Sequence, residues 1–368
     1  MMKIQGKSMI RAALLVSAFL LLAGCGKSGQ KTSNPEKTEP VGRKEAVEKK
    51  QAQVLRVGYQ QGGSSTLPML AKNEGYFEKT GVPTDFVLFT SSSDGLNALN
   101  VNKLDIGVSF GTCAPLTYVA KGARFVIIGG NLSGGHPILV RKGQGIYYKS
   151  IRDFKGKTVG TPRIFTSDVV FRGACREAGL DLKKDLTLVE FKRPVDVMEA
   201  VKSGKIDVGI GASNVIGQAK AAGLDIPLWS NDLFPDHPCC RIVTTEETLR
   251  TKRSELVNFL KAELLAEKKF TEDPESGVRA DIVQQKFSEE LARNLVLEPH
   301  QLLSADPNRK GVRLMWDFMK KIQYAEGEID LDKAIDTSLY YEALQQLRKE
   351  SPSPFWEKLE QRYKEQNL

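Results

Sequence analysis

The chain has 368 residues, a formal net charge of +8 and 27% charged side chains. A chain of this length can bury two separate hydrophobic cores, so more than one domain is expected. The positive charge is not clustered with aromatic residues in the way that is typical of nucleic-acid-binding proteins, and we therefore predict no nucleic-acid partner.

Residues 1–25 have the pattern of an export signal. Cationic residues precede an apolar run, residues 12–22, that is shorter than the roughly 20 residues a membrane-spanning helix needs. The run ends in the sequence LAGC, which resembles a bacterial lipobox, the motif cleaved before a cysteine that then carries lipid. We predict that the protein is exported and that lipidated Cys25 anchors it to a membrane, at the cell surface or on the periplasmic side.

Residues 26–53 are rich in Lys, Glu, Ser, Thr and Pro and contain almost no large apolar side chains. Such a segment cannot bury enough surface to offset the entropy lost on ordering. We predict a disordered tether between the anchor and the folded part.

A segment in the first half of the chain recurs in the second half. Residues 98–111 (ALNVNKLDIGVSFG) align with residues 200–213 (AVKSGKIDVGIGAS), which places Asp105 and Asp207 102 positions apart. The offset holds upstream, and each copy has the pattern of a strand, a polar loop, a helix and a strand. The repeat predicts two α/β lobes, with both aspartates in helix-to-strand turns that face water.

Two short motifs mark where the chain crosses between the lobes. His136 and His237 each precede a proline and are 101 positions apart. A residue before proline favours extended backbone, so we predict two hinge strands about which the lobes close over a ligand. Lobe 1 would comprise residues 54–136 and 240–368, and lobe 2 residues 137–239.

The part of the chain after Glu246 is predicted to be mostly helical and to pack on lobe 1. Apolar residues recur there at spacings of three and four, as on the buried face of a helix. Trp316 and Trp356 are expected in the core, although the polar tail around Trp356 is expected to be loosely held. The predicted helices are residues 249–270, 289–296, 311–322, 331–334 and 338–349.

Polar loops follow the predicted strands of lobe 1. Such loops lead into helix N-termini, whose free N–H groups and nearby hydroxyls suit an anion. The carboxyl ends of strands are also where open α/β sheets bind ligands. The candidate ligand-binding residues of this lobe are Gln60, Gln61, Ser64, Ser65, Ser91, Ser92, Ser109 and Thr112.

The same layout recurs in lobe 2, where two arginines add positive charge. Guanidinium groups favour an acidic ligand. The hinge histidines are further candidates because they can donate hydrogen bonds into the cleft. The candidates in lobe 2 and the hinge are Arg163, Thr166, Ser167, Arg193, Ser213, Asn214, His136 and His237.

Four cysteines remain besides Cys25, and two of them, Cys239 and Cys240, are adjacent. We predict free, buried thiols. A disulfide stays open as an alternative in an exported protein, but neighbouring cysteines rarely bond to each other because the ring is strained. The spacing of His237, Cys239 and Cys240 matches no zinc site, so we predict no metal and no cofactor.

Several of these motifs together resemble the solute-binding components of ABC importers in the nitrate, sulfonate and taurine group, which has relatives that bind thiamine-precursor pyrimidines. The motifs are LRVGY at residues 55–59, AKNEGYF at 71–77, KLDIG at 103–107, DFKGKTVG at 153–160 and SGKID at 203–207. The resemblance implies a type II periplasmic-binding-protein-like α/β fold of two lobes joined by two hinge strands, with the helical segment as a C-terminal extension. It also implies delivery of solute to a permease and an ATPase.

The predicted function is the binding of a small anionic solute, such as nitrate or a sulfonate, by a monomeric lipoprotein that serves an importer. Taurine is disfavoured because residues 211–214 lack the acidic residue that taurine binders use for the amine. Three alternatives stay open: a pyrimidine-binding protein of the same fold, an enzyme like the eukaryotic pyrimidine synthases of this fold, and a sensor lipoprotein. With three histidines and no catalytic triad or paired carboxylates, an enzyme is the weaker hypothesis.

Overall fold

The computed structural model describes residues 53–235 and 237–368. The predicted signal, the lipidation site Cys25 and the tether up to residue 52 therefore lie outside the described residues. In the described part of the chain, no helix combines the length and the apolar character that crossing a membrane requires.

Eleven strands of the described residues form two sheets, one of six strands and one of five. The order of the first sheet is β11-β4-β10-β3-β1-β2, and that of the second is β7-β6-β8-β5-β9. The strands are β1 (Leu55–Tyr59), β2 (Thr84–Leu88), β3 (Ile106–Gly107), β4 (Phe125–Gly134), β5 (Pro137–Val140), β6 (Thr158–Pro162), β7 (Thr187–Phe191), β8 (Val208–Ile210), β9 (Asp225–Trp229), β10 (Pro238–Thr245) and β11 (Gln301–Leu303).

The two sheets repeat one topology. In the first, β1 pairs in parallel with β2 and β3, and β3 pairs antiparallel with β10. In the second, β6 pairs in parallel with β7 and β8, and β8 pairs antiparallel with β5. This confirms the predicted fold class of two α/β lobes.

The chain passes between the sheets at the two predicted motifs. β4 of the first sheet ends at Gly134 and β5 of the second begins at Pro137, while β10 of the first sheet begins at Pro238, after the strands of the second. His136 and His237 thus lie on the two crossing segments. The exact lobe boundaries given above stay a prediction.

Close packing of a neighbouring side chain explains why a glycine occurs at equivalent positions of the two sheets. A Cβ atom at Gly58 would overlap Leu104, and one at Gly160 would overlap Ile206. Both pairs follow the offset of 102 positions. The repeat therefore extends to side-chain packing: in each sheet, the helix-to-strand turn packs in the same way, onto β1 in the first sheet and onto β6 in the second.

The predicted position of Asp105 in water is wrong. Asp105 is buried, and its carboxylate accepts hydrogen bonds from the backbone and guanidinium of Arg56 and from Lys252. The side chain of Asp207, in contrast, is 40% exposed. The turn preference of aspartate was interpreted correctly, but it carries no information about the helix that later covers Asp105.

In the described ranges, sixteen helices surround the sheets. They are α1 (Thr66–Asn73), α2 (Tyr76–Lys79), α3 (Ser92–Asn100), α4 (Cys113–Ala120), α5 (Thr166–Glu177), α6 (Pro194–Lys202), α7 (Ile216–Ala221), α8 (Ser230–Leu233), α9 (Glu246–Thr251), α10 (Arg253–Glu272), α11 (Pro274–Gln285), α12 (Glu289–Val296), α13 (Arg309–Lys321), α14 (Leu331–Ala334), α15 (Ser338–Glu350) and α16 (Pro354–Asn367). Residues 63–65, 145–147, 151–154 and 213–215 form 3₁₀ turns.

The helical C-terminal part agrees with prediction in most of its bounds. The single helix predicted over residues 249–270 is divided into α9 and α10, and α11 was not predicted because its apolar residues form no clear stripe. The expectation of a loosely held tail is wrong, since α16 buries Trp356 in the core of the first sheet.

The C-terminal helices do not pack on the first sheet alone. Leu291 of α12 lies against Gly217 of α7, and Phe318 of α13 lies against Gly173 of α5. Both α5 and α7 belong to the segment that forms the second sheet. The C-terminal helices therefore contact both lobes. The apolar spacing of these helices in the sequence did not indicate their contact with the second lobe.

Candidate functional site

A cavity of about 30 Å³ lies between loops that follow strands of both sheets. Its lining contains no Asp, Glu, Lys or Arg among the described residues. Nine of the predicted ligand-binding residues line it: Gln60, Gln61, Ser64, Ser92, Ser109, His136, Thr166, Ser213 and Asn214. Seven further residues complete the lining: Phe110, Gly111, Ile164, Phe165, Ala212, Cys239 and Cys240.

Four helices of at least eight residues begin at this cavity. Ser64 lies in the 3₁₀ turn that leads into α1, Ser92 is the first residue of α3, and Gly111 precedes the N-cap of α4. Phe165 is the N-cap of α5. Each helix N-terminus carries a partial positive charge, so these four termini contribute a positive potential to a cavity that no charged side chain of the described residues lines.

The hinge histidines stack on each other beside the cavity. Their ring centroids are 5.4 Å apart with an interplanar angle of 13°. Burial lowers the pKa of both rings, to about 4 for His237, and the neighbouring His237 lowers the pKa of His136 further. Among the described residues, none of the four ring nitrogens has a hydrogen-bond partner, and His136 faces the cavity, so a bound solute can pair with it.

A second, larger chamber of about 280 Å³ adjoins the cavity and shares Gln60, Gln61, Phe165 and Asn214 with it. Two further predicted residues, Ser91 and Arg193, line this chamber. Ser91 caps α3, and Arg193 forms an ion pair with Asp196 at 2.5 Å. The rest of the lining is made of the apolar residues Leu88, Phe89, Pro194, Val195, Val215, Phe287, Leu291 and Leu295 and the polar residues Thr90, Lys192 and Gln218.

Five predicted residues line neither space: Ser65, Thr112, Arg163, Ser167 and His237. Two of them bond within the protein, since Ser65 donates to the carbonyl oxygen of Gln60 at 2.7 Å and Thr112 to that of Cys239 at 3.0 Å. Ser167 is buried, and its hydroxyl has no hydrogen-bond partner within the part of the chain that the structure describes. Thr112 thus shapes the cavity without facing it.

Arg163 does not point into the cavity. Its guanidinium lies 3.7 Å from Asp168 and 3.8 Å from Glu190, and it stacks over the ring of Tyr324 at 4.3 Å. These two carboxylates, which also pair with Arg172, already hold the guanidinium of Arg163. An anion in the cavity would depend on backbone N–H groups and hydroxyls, not on this arginine.

Tyr324, which the sequence patterns did not single out, joins the C-terminal part to the edge of the cavity. Its hydroxyl donates to Asp168 at 2.7 Å and accepts from the backbone N–H of Ile164 at 2.6 Å. Ile164 has a φ of +68°, an unfavourable conformation for a β-branched residue. Tyr324 holds this strained residue in place, and burial and Asp168 raise the pKa of its hydroxyl.

Cys239 and Cys240 both line the cavity as free thiols. Burial raises the pKa of Cys239, whereas the hydrogen bond from Cys239 lowers that of Cys240. Across the described ranges, no group of three or more His, Cys, Asp or Glu residues is arranged to hold a metal ion.

Residues 64–276 match the family model described as NMT1/THI5 like. A Brucella abortus protein, provisionally named a binding protein, is 28% identical over 187 residues, which are 50% of this chain and 56% of that protein. The chain thus spans little more than half the length of that relative. A Bacillus subtilis protein, provisionally named an aliphatic sulfonates-binding protein, is 25% identical over 347 residues, 90% of this chain and 96% of that protein.

Solved structures share the fold. The ligand-binding component of an ABC-type import system from Staphylococcus aureus superimposes with a TM-score of 0.69 at 18% identity, covering 82% of this chain and 100% of that one. The periplasmic aliphatic sulphonate binding protein of Escherichia coli gives a TM-score of 0.63 at 21% identity, covering 77% of this chain and 92% of that one.

Proposed function

Because the chain belongs to the NMT1/THI5-like family, we propose that it is an extracytoplasmic solute-binding protein that delivers a small organic anion to an ABC importer. A protein named for sulfonate binding aligns with 90% of this chain, and this similarity supports the proposed role. The proposal includes the lipid anchor at Cys25, a monomeric state, and a permease and an ATPase as partners.

One observation carries the choice of an anion. The N-termini of α1, α3, α4 and α5 meet at one cavity, and the first three come from segments of the first sheet while α5 comes from the second. Their N–H groups and the hydroxyls of Ser64 and Ser213 can surround an anionic oxygen group. A sulfonate can be held in this way without an arginine.

The adjoining chamber favours an anion with an organic tail over nitrate. The inner cavity has room for a small polar group only, whereas the chamber is about nine times as large and mostly apolar. A sulfonate group in the cavity would place an alkyl or aryl tail against Leu88, Phe89 and Leu295. Burying that tail adds affinity that nitrate cannot gain.

Closure of the lobes completes the site in this mechanism. Thr166 of α5 donates to the carbonyl oxygen of Cys239 at 3.1 Å, and Asn214 lies against Gly62, so loops of both sheets touch around the cavity. An open form would admit solute by rotation about the segments at His136 and His237. Solute bound by both lobes stabilises the closed form, which the permease then recognises.

Isothermal titration calorimetry tests this function with methanesulfonate, hexanesulfonate and nitrate. We expect hexanesulfonate to bind most tightly. The variants S64A and S213A should each weaken it about tenfold or more, because each removes a hydrogen bond to a charged group worth about 1.5 to 3 kcal/mol. R163A is the matched control outside the cavity and should bind nearly as the wild type does. No heat with any anion, or a loss confined to R163A, would contradict the proposal.

A neutral heteroaromatic solute of the pyrimidine type is the second candidate. The uncharged lining, the neutral imidazole of His136 and the rings of Phe110 and Phe165 favour it. Titration with an aminopyrimidine separates the two, since S64A and S213A should then have small effects and H136A a large one. Mass spectrometry after incubation would detect turnover, which a binding protein does not perform.

A further inference from the structure

The two neighbouring thiols of β10 face the same space. Successive side chains of a regular strand point to opposite faces. β10 departs from this rule, because its pairing with β4 shifts register between Pro238 and Cys240 and again between Cys240 and Arg241. The irregularity turns Cys239 and Cys240 toward one cavity, with their Sγ atoms 3.5 Å apart.

These thiols differ from the other cysteines of the described chain. Cys113 and Cys175 are also free and buried, but neither lines the solute cavity. Cys239 and Cys240 thus form the one pair of thiols, among the described residues, that a small molecule in the cavity would meet side by side.

The pair is suited to a ligand that needs two sulfur donors. A structural metal ion takes about four donors, and the described residues offer no group of three that could hold one. The helix N-termini around the cavity also disfavour a cation. A neutral trivalent atom that binds the two sulfur atoms and keeps one substituent of its own needs no further donor from the protein. It also carries no positive charge.

The distance between the sulfur atoms fits a single bound centre. Two sulfur atoms at about 2.3 Å from one atom, as in zinc thiolates, lie about 3.5 to 3.8 Å apart when the angle between the bonds is about 100° to 109°. The separation of 3.5 Å therefore requires little movement of either side chain.

We propose that Cys239 and Cys240 form a two-thiol site for a neutral trivalent arsenical inside the solute cavity. The reaction is a condensation without redox change: each thiol sulfur forms a bond to arsenic, and the two hydroxyl groups of R–As(OH)₂ leave as two waters with the thiol protons. The bound arsenical would fill the cavity of about 30 Å³ and exclude the solute.

Methylarsonous acid, CH₃As(OH)₂, is a direct probe, because it is small and condenses with two thiols to release two waters. We expect the reduced, folded full-length protein to gain one methylarsenic group by intact mass, with the peptide containing Cys239 and Cys240 then protected from iodoacetamide after unfolding. C239S and C240S should each bind at least about tenfold more weakly, because one thiol cannot chelate. C175S and C113S are matched controls that should bind as the wild type does.

Undiminished binding by C239S and C240S, or an adduct mapped to other cysteines, would overturn the proposal, as would a wild type that reacts only when unfolded. Urea unfolding of each variant shows whether a loss of binding reflects a loss of fold, and C239A gives a second test of the same thiol. The site does not depend on the proposed transport function. Sulfonate binding can fail while the arsenical binds, and the reverse can also occur.

Discussion

The two lobes share a backbone contact and differ in the charges around it. Asp105 accepts a hydrogen bond from the N–H of Arg56, and Asp207 accepts one from the N–H of Thr158, each at 2.9 Å and each 49 residues apart in sequence. Only Asp105 is also buried under cationic side chains, among them Lys252. The contact common to both lobes belongs to the frame of the repeat, whereas the ion pairs of Asp105 come from Arg56 of β1, which Thr158 replaces in the second lobe, and from Lys252 between α9 and α10.

The loops at the cleft show the same relation. Ser64 and Thr166 are 102 positions apart and both line the cavity, and Gly111 and Ser213 do so at the same offset. The frame thus places equivalent positions of the two lobes opposite each other, while the residues at those positions differ. A solute held between them meets two unlike halves of one site.

The largest expected effect distinguishes the two aspartates. D105A should lower the free energy of unfolding by about 3 to 5 kcal/mol, because it leaves the largely buried cation of Lys252 without its partner. D207A should cost about 1 kcal/mol, since it removes one hydrogen bond at a half-exposed position. Urea unfolding measures both, and equal losses would show that the cationic network adds nothing to the frame.

The pH dependence of the first lobe should follow the same network. Burial alone would raise the pKa of Asp105, but hydrogen bonds from Arg56 and Lys252 outweigh it and lower the pKa. A carboxyl with a lowered pKa stabilises the folded protein above its unfolded pKa and loses this contribution as the pH falls. The difference in stability between wild type and D105A should therefore shrink in acid.

Local patterns allowed the frame to be predicted. The repeated turn sequence, with its offset of 102 positions, predicted two α/β lobes, and the polar loops after the strands predicted nine residues of the cavity lining as candidates. Their role in binding stays a prediction. The family match confirms the resemblance that the short motifs indicated.

Contacts between distant parts of the chain could not be predicted in this way. Asp105 is covered by Lys252, 147 residues away, and Ile164 is held by Tyr324, 160 residues away. No periodicity or turn preference reports such pairs. For the same reason, Arg163 was expected to face an anion, since its neighbours in the sequence do not reveal the stacking on Tyr324.

The next largest expected effect is the loss of folding stability in acid caused by the two hinge histidines, His136 and His237. His237 has a folded pKa of about 4, below its ordinary 6.5, because burial disfavours the charged ring and Arg241 adds to this. The unfolded chain therefore binds a proton that the folded protein does not, and stability present above pH 6.5 is lost as the pH falls toward 4. The loss is about 3 kcal/mol for His237 alone.

H237F keeps an aromatic ring but cannot be protonated. Urea unfolding at pH 7 and pH 4.5 should show a smaller acid loss for H237F than for the wild type, and H136F should behave alike because burial also lowers the pKa of His136. An unchanged difference between the two pH values in both variants would mean that the stacked pair does not respond to acid.

A smaller effect is expected where the C-terminal part meets the second lobe. Y324F removes one hydrogen bond to Asp168 and one from the N–H of Ile164. We expect closure to weaken by about 1 to 2 kcal/mol, seen in calorimetry as a solute affinity about tenfold lower. Y341F is the matched control, because Tyr341 bonds to Glu360 within the C-terminal helices. Equal affinities in wild type and Y324F would show that this contact is not coupled to the site.

The smallest effect is expected at the N-caps of α3 and α6, Ser91 and Arg193, which are also 102 positions apart. Ser91 accepts a hydrogen bond from the N–H of Asp94, so S91A should lower the free energy of unfolding by about 1 kcal/mol. Arg193 occupies the equivalent position, but its side chain pairs with Asp196 in water and caps no backbone group. R193A should therefore leave the urea midpoint unchanged. A larger loss in the free energy of unfolding for R193A than for S91A would mean that surface charges stabilise the frame of the second lobe. The distinction between a common frame and added charges would then no longer hold.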